Sequence, residues 1–269
     1  MRWCLTEGAP YYDANGEFEG YAGSVTDITD LKKSEARKDD FIKMASHELK
    51  TPITSIKGYV QLLQKIYDEL DLEKYQASRL TVKSSLNTIS KQVSKLTRLV
   101  SELLDLTRIE SGKLELQKTE FVLDDLLKET VSDMRHTTSQ HRIVLRNDFM
   151  GNIFADKDRI SQVLVNLLTN AIKYSPDADC IEIDVKENGN MINIKIKDYG
   201  IGIEEKDQKM IFQRFYRVEG KNEQTYPGFG IGLFIVDEII QRHNGNISVE
   251  SKKNAGSIFT VSLPLALES

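Results

Sequence analysis

The sequence predicts an α+β protein in which a long helical hairpin precedes an α/β domain. Three observations carry this: two long stretches with apolar residues at helical spacing between Asp30 and Glu110, a change of texture after Gly112, and alternating short strands and helices beyond it. With 269 residues there is room for two modest domains and part of a third. Hydrophobic residues at 40% and charged residues at 29% are the balance of a globular chain, which argues against wholesale disorder.

Residues 1–29 read as two strands, Trp3 to Tyr12 and Phe18 to Thr29, around an Asp13-Ala14-Asn15-Gly16 turn. Two strands cannot bury a core alone. A first helix is expected from Asp30 to about Tyr67, with a heptad frame through Ile28, Glu35, Ile42 and Leu49 and, three residues on, Leu31, Lys38 and Ala45. Glu35 and Lys38 spoil that seam, so the pattern fits either a helix that shifts between states or a badly phased surface helix. The second helix is expected from roughly Lys74 to Glu110, where Leu86, Ile89, Val93, Leu96, Val100 and Leu103 recur at helical spacing before the Ser111-Gly112 stop. One copy of such a hairpin cannot cover its apolar stripe, which predicts a homodimer joined as a four-helix bundle.

Beyond Gly112, strands are expected at Leu114 to Lys118, Arg142 to Asn147, Ile181 to Lys186, Met191 to Lys197, Asn246 to Ser251 and Ser257 to Leu263. Helices are expected between them at Leu123 to His136, Asp156 to Tyr174, Glu204 to Phe212 and Gly230 to Arg242.

Bulk charge narrows the partners. The 41 acidic residues outnumber 36 basic ones for a net charge of -5, so there is no overall positive field for nucleic acid. Cys4 and Cys180 alone make neither a zinc site nor a disulfide framework, which fits a reducing, cytoplasmic setting. No stretch reaches the roughly 18 apolar residues of a membrane helix, and Met1 to Pro10 lacks a signal-peptide pattern, so no membrane contact by this chain itself is expected. The first segment reads as truncated, which is compatible with a membrane-anchored parent protein.

The candidate chemistry lies in five segments. On the expected helix Asp156 to Tyr174, Leu164, Leu167, Leu168, Ala171 and Ile172 form one face, with Asn166, Asn170 and Lys173 opposite. Asn carboxamides at i, i+4 are hard, uncharged ligands suited to magnesium beside a triphosphate, and Lys173 suits phosphate oxygens; the same triplet also fits a solvated face. Asp198-Tyr199-Gly200-Ile201-Gly202 follows an alternating strand, and there Asp198 can accept from an adenine amino group while the glycines admit a flat ligand. These residues also fit an ordinary strand-to-helix turn.

Gly228-Phe229-Gly230-Ile231-Gly232-Leu233 opens the last long helix, whose free N–H groups suit phosphate, although it lacks the Gly-Lys-Ser/Thr of a Walker loop. Between the glycine runs lie Phe212, Phe215 to Arg217 and a polar stretch from Val218 to Pro227, readable as a mobile lid over nucleotide or as a plain surface loop. Upstream, His47 falls off the apolar seam and Thr51, at i+4, shares its face, while Pro52 removes a backbone donor and predicts a bend. His136, His141 and His243 show no ligand spacing among themselves, and structural roles are expected for them.

In order and spacing, Asn166-Leu-Leu-Thr-Asn170-Ala-Ile-Lys173-Tyr174-Ser, Asp198 to Gly202, Phe212 to Tyr216 and Gly228 to Leu233 resemble the N, G1, F and G2 boxes of the ATP-binding domain shared by histidine kinases and their GHKL relatives. Phe41-Ile-Lys-Met-Ala-Ser46-His47-Glu48-Leu-Lys-Thr51-Pro52-Ile-Thr54 resembles the H-box of the dimerising, phospho-accepting domain. Residues 1–29, with Trp3, Gly8, Pro10, Gly16, Gly20, Gly23 and the closing Asp27-Ile28-Thr29, resemble the last strands of a PAS sensory domain. The resemblance implies a PAS-like fragment over 1–29, a dimerisation and histidine phosphotransfer domain over 30–111 and a catalytic ATP-binding domain, an α/β sandwich of the histidine kinase/GHKL type, over 112–269.

It further implies ATP and Mg2+ as cofactors, autophosphorylation of His47, relay to an aspartate of a response-regulator receiver domain, and a possible phosphatase activity toward that regulator. By the same resemblance Asn170 with Asn166 holds magnesium, Asp198 reads adenine, Lys173 and Tyr174 address the phosphates, and Arg217 stabilises the transferring group. Gly200, Gly202, Phe215, Gly228, Gly230, Gly232 and Leu233 then line the nucleotide. Glu48 serves as the base for His47, and Thr51 places water for hydrolysis. The H-box argues against an ATPase of another kind, and the joint presence of His47, Asn170, Asp198 and the glycines argues against a dead scaffold.

Overall fold

The computed structural model describes residues 2–68, 75–138, 140–218 and 229–265. They fall into two units, 1–48 and 49–269.

In the first unit, β1 (Cys4–Tyr12) and β2 (Phe18–Asp27) form an antiparallel hairpin. Asp13 builds the expected turn: its Oδ1 accepts from the backbone N–H groups of Asn15 and Glu17 at 2.8 and 2.7 Å, and Gly16 adopts a φ of 83°. Trp3, Tyr11, Tyr12, Phe18 and Tyr21 are exposed, so the hairpin carries aromatic surface and no core of its own. The backbone N–H of Trp3 donates to Thr29 Oγ1 at 2.8 Å, fixing the hairpin to the first residue of α1 (Thr29–Asp68). Of the heptad positions, Ala45 is buried while Leu31 and Ile42 are exposed.

In the second unit α1 runs on through Pro52 without interruption, so the bend expected there does not break the helix. The second long helix, α2, spans Tyr75–Glu110; Lys74, its expected start, lies outside the described residues. Its C-terminal half buries Leu99, Leu106 and Ile109, while Leu86, Val93, Val100 and Leu104 along the helix are exposed.

The sheet-bearing part contains β3 (Thr119–Val122), α3 (Leu123–Arg135), β4 (Arg142–Asn147), β5 (Asn152–Ala155), α4 (Lys157–Tyr174), β6 (Cys180–Asn188), β7 (Met191–Asp198), α5 (Glu205–Gln208), α6 (Gly232–Arg242), β8 (Asn246–Ser251) and β9 (Ser257–Pro264). The main sheet has the order β4-β6-β7-β9-β8, in which β4 and β6 are parallel and the other neighbours antiparallel. Strict alternation puts Ile181, Ile183 and Val185 of β6, Ile192, Ile194 and Ile196 of β7, and Phe259, Val261 and Leu263 of β9 on one buried face. Helices α3, α4 and α6 cover that face, and each fully buried aliphatic side chain contributes about 1.5–3 kcal/mol.

Three expectations need correction. The strand foreseen at Leu114 to Lys118 lies instead at Thr119–Val122, paired with β5, which periodicity did not reveal. Residues 114–118 spend backbone groups on side chains: Leu114 O accepts from Arg242 Nη1 at 2.9 Å, and Gln117 N–H donates to Asp156 Oδ2 at 2.8 Å. The helix foreseen over Glu204 to Phe212 ends at Gln208, after which the chain makes successive i to i+3 turns through Met210, Gln213 and Tyr216. The last long helix begins at Gly232 and not at Gly230, whose φ of 68° is left-handed.

Candidate nucleotide site and phospho-acceptor helix

The N-terminus of α4 is held by two contacts at Asp156. Asp156 caps it, its Oδ1 accepting from Arg159 N–H at 3.1 Å, and the Asp156 N–H donates to Nε2 of buried His243 at 2.9 Å. Since Nδ1 of His243 faces the Ile239 carbonyl at 2.8 Å, Nδ1 carries the proton and Nε2 is the acceptor. Burial pushes this imidazole below its ordinary value, which favours that neutral form. The start of α4 and the end of α6 are thereby tied together.

With those ends fixed, Asn166 lies against the start of α6. A Cβ on Gly232 would stand 2.7 Å from Asn166 Oδ1, so glycine is what permits the approach, and Asn166 Nδ2 lies 3.4 Å from the Gly232 carbonyl. A Cβ on Gly230 would meet Tyr216 O at 2.8 Å and Arg217 Cγ at 2.9 Å, so this glycine run folds onto the Phe215 to Arg217 segment. Phe215 itself holds a φ of 63°, costly for a non-glycine residue, and the Tyr216 hydroxyl donates to Asp207 Oδ1 at 2.7 Å.

At the other end of α4, Lys173 Nζ lies 3.1 Å from the Tyr174 hydroxyl. Burial pushes the Tyr174 phenol up, and the nearby Arg217 charge opposes that shift. The Tyr174 carbonyl accepts from Ile201 N–H at 3.0 Å, and a Cβ on Gly200 would stand only 2.0 Å from the same oxygen. Asp198, 5% exposed, accepts from Gly200 N–H at 2.9 Å. Burial raises its carboxyl, while hydrogen bonds from Gly200 and from both the backbone and the side chain of Ser257 pull it back. Gly202, with a φ of 63°, sits under the β8–β9 turn, where a Cβ would be 2.0 Å from Lys252 O.

Asn166, Lys173, Tyr174, Asp198, Gly200, Phe215, Arg217, Gly230 and Gly232 are thus connected through these contacts, Gly202 is buttressed from β8, and Asn170 and Leu233 are half-buried on α4 and α6. Gly228 and most of the stretch from Val218 to Pro227 lie outside the described residues. His47 is exposed and Glu48 half-buried on α1, in the first unit; Thr51, further along the helix, is exposed. Among the described residues no group of three His, Cys, Asp or Glu side chains is gathered for a metal. A magnesium ion at this site would therefore rest on Asn carboxamide and phosphate oxygens, a donor set that suits it.

Ser257 escaped the sequence reading because its link to Asp198 is cross-strand: the two are paired in the β7–β9 register. His141 and His243 take structural hydrogen bonds, as expected, but their partners, Ser175 and Asp156, are distant in sequence and could not be foreseen. No described helix is long and apolar enough to cross a membrane.

Residues 37–112 match the His Kinase A (phospho-acceptor) domain, and residues 155–267 match the histidine kinase-, DNA gyrase B-, and HSP90-like ATPase domain. The chain is 31% identical over 255 residues to the sensor histidine kinase WalK of Bacillus subtilis, covering 93% of this chain and 40% of WalK. It is 31% identical over 247 residues to the sensor-like histidine kinase SenX3 of Mycobacterium tuberculosis, covering 91% of this chain and 58% of SenX3. The chain thus spans about half the length of these relatives.

Among solved structures, the Acinetobacter baumannii histidine kinase AdeS matches with a TM-score of 0.58 and 28% identity, covering 82% of this chain and 98% of that one. Histidine kinase ThkA, solved in complex with response regulator protein TrrA, shares the fold at a TM-score of 0.54 and 24% identity, covering 97% of this chain and 75% of that one. With a His Kinase A phospho-acceptor domain followed by a histidine kinase-, DNA gyrase B-, and HSP90-like ATPase domain, the chain carries the domain pair of the sensor histidine kinases it resembles.

Proposed function

We propose that the chain binds ATP with magnesium among α4, the 198–202 turn and the start of α6, and transfers the γ-phosphoryl group to His47, from which it passes to an aspartate of a response-regulator receiver domain. The observation that supports this most is the meeting of segments far apart in sequence: Asn166 with Gly232, Tyr174 with Gly200, and Gly230 with Arg217.

A carboxylate has about four acceptor sites, so Asp198 keeps room for an adenine amino group beside its bonds to Gly200 and Ser257. Lys173, Arg217 and the Tyr174 hydroxyl address the phosphates, and the glycines with Phe215 and Leu233 shape the cradle; Gly228 is assigned the same part. Asn170 and Asn166 would hold magnesium, which when bound neutralises phosphate charge during transfer. A ring nitrogen of His47 attacks the γ-phosphorus in line, the bond to the bridging oxygen breaks, ADP leaves with that electron pair, and Glu48 takes the ring proton. Thr51 orients water for hydrolysis of the regulator's phosphoryl group.

The chain divides into a PAS-like fragment over 1–29, a phosphotransfer domain over 30–111 and a catalytic domain over 112–269. Two copies pair through α1 and α2, and use of cellular ATP places the module in the cytoplasm. Incubation with magnesium and γ-labelled ATP is expected to put acid-labile label on the unaltered chain and none on His47→Gln or Asn170→Ala. Label persisting on His47→Gln would move the acceptor elsewhere and overturn the mechanism. With a labelled regulator, Thr51→Ala is expected to slow phosphate loss; unchanged loss would remove the hydrolytic role.

A further inference from the structure

We infer that His141 is a positioning residue of the nucleotide site: it locks the junction where α4 ends against the 198–202 turn. The inference rests on the ATP-binding reading above.

His141 immediately precedes β4 and is buried. Its Nε2 lies 2.8 Å from the Ser175 carbonyl oxygen and 3.2 Å from the Ser175 hydroxyl. A carbonyl only accepts, so Nε2 carries the proton and Nδ1 is left as an acceptor. Thr138 Oγ1 stands 3.1 Å from Nδ1 and is free to donate there, because its lone pairs already receive the N–H groups of Gln140 and His141 at 3.3 and 3.2 Å. The ring is therefore held at both nitrogens in one tautomer.

Its target, Ser175, is fully buried and ends α4, its hydroxyl bonded back to the Ala171 carbonyl. The Ser175 carbonyl also accepts from Ala178 N–H at 3.1 Å, so His141 supplies its second donor. Across the chain, the backbone at Tyr174 and Ser175 is in direct contact with the glycine turn. Ile201 N–H bonds the Tyr174 carbonyl at 3.0 Å, and a Cβ on Gly200 would stand 2.9 Å from Ser175 Cα. The two residues before Ser175 are Lys173 and Tyr174, and the residue bonded by Gly200 N–H is Asp198. One buried imidazole thus braces the strip of backbone joining the phosphate-facing and adenine-facing halves of the cradle.

The test compares His141→Leu, which keeps bulk and loses the donor, with His141→Gln, whose side-chain amide can return an N–H toward Ser175. Calorimetric titration of the full chain with ATP and with GTP, alongside the melting temperature of each variant, reads the outcome. His141→Leu is expected to weaken ATP about tenfold and to reduce the preference for ATP over GTP. His141→Gln is expected to recover both to within about threefold of the unaltered chain. Thr138→Val, which frees the ring without touching the junction, is expected to change both in the same direction and is the deciding variant if His141→Leu does not fold. Unchanged ATP affinity and unchanged selectivity in the folded variant would overturn the role, as would equal losses in His141→Leu and His141→Gln. If the unaltered chain binds no ATP, the ATP reading falls and this role falls with it.

Discussion

Asp198 ends β7 with 5% of its surface exposed, and burial pushes its carboxyl above the ordinary value. The folded chain therefore holds that proton more tightly than the unfolded chain does. The group's contribution to stability is greatest below the ordinary carboxylate pKa and declines as pH rises through it toward the raised folded value. At neutral pH the buried charge is a net cost to the folded chain. Asp198→Asn keeps an oxygen for Gly200 N–H and removes the charge. It is expected to raise the melting temperature of the nucleotide-free chain at pH 7 while weakening ATP by about tenfold or more. A lower melting temperature would refute the electrostatic account, and unchanged ATP affinity would refute the adenine contact.

Between elements, a largely desolvated ion pair joins α2 to α4. Asp105, 3% exposed, accepts from Arg159 Nη1 at 2.8 Å and from Gln162 Nε2 at 2.7 Å, so one carboxylate takes two side chains a helical turn apart. One turn earlier on α2, burial pushes the Glu102 carboxyl up, opposed by the charges of Arg98 and Lys173. In a double-mutant cycle on chemical unfolding, Asp105→Ala and Arg159→Ala are expected to be non-additive by about 1–3 kcal/mol. Additivity within about 0.5 kcal/mol would show that the pair does not couple the helices.

Elements with strong period were legible in the sequence: the two long helices, α4 and the alternating strands β6, β7 and β9 lie close to where their apolar spacing put them. What was illegible depends on distant partners. The 114–118 segment gives up strand pairing to Arg242 and Asp156, and the stop after Gln208 follows turns whose last member, Tyr216, is anchored on Asp207. Within the candidate site the boxes named Asn166, Asp198 and the glycines, but Ser257 and His141 act across strands and loops, where no local spacing marks them.

Over the whole molecule, α2 leaves Leu86, Val93 and Val100 exposed at seven-residue intervals, with Ile53 and Val60 of α1 exposed at the same interval. Such a row has the spacing of a bundle seam, which the proposed pairing of two copies would cover. Sedimentation is expected to give the mass of two chains for the unaltered protein and a shift toward one for Val93→Asp; a single-chain mass for both would defeat the homodimer. Two ion pairs that link α2 to the sheet-bearing part differ in kind. The Arg214–Glu110 pair at 2.8 Å is about half exposed on both sides, whereas the Arg159–Asp105 pair, also at 2.8 Å, is largely withdrawn from water. Dissolved ions at physiological strength screen exposed charges beyond about 8 Å and reach buried ones far less. Moderate changes in ionic strength will therefore loosen the rim of this junction and leave its centre in register.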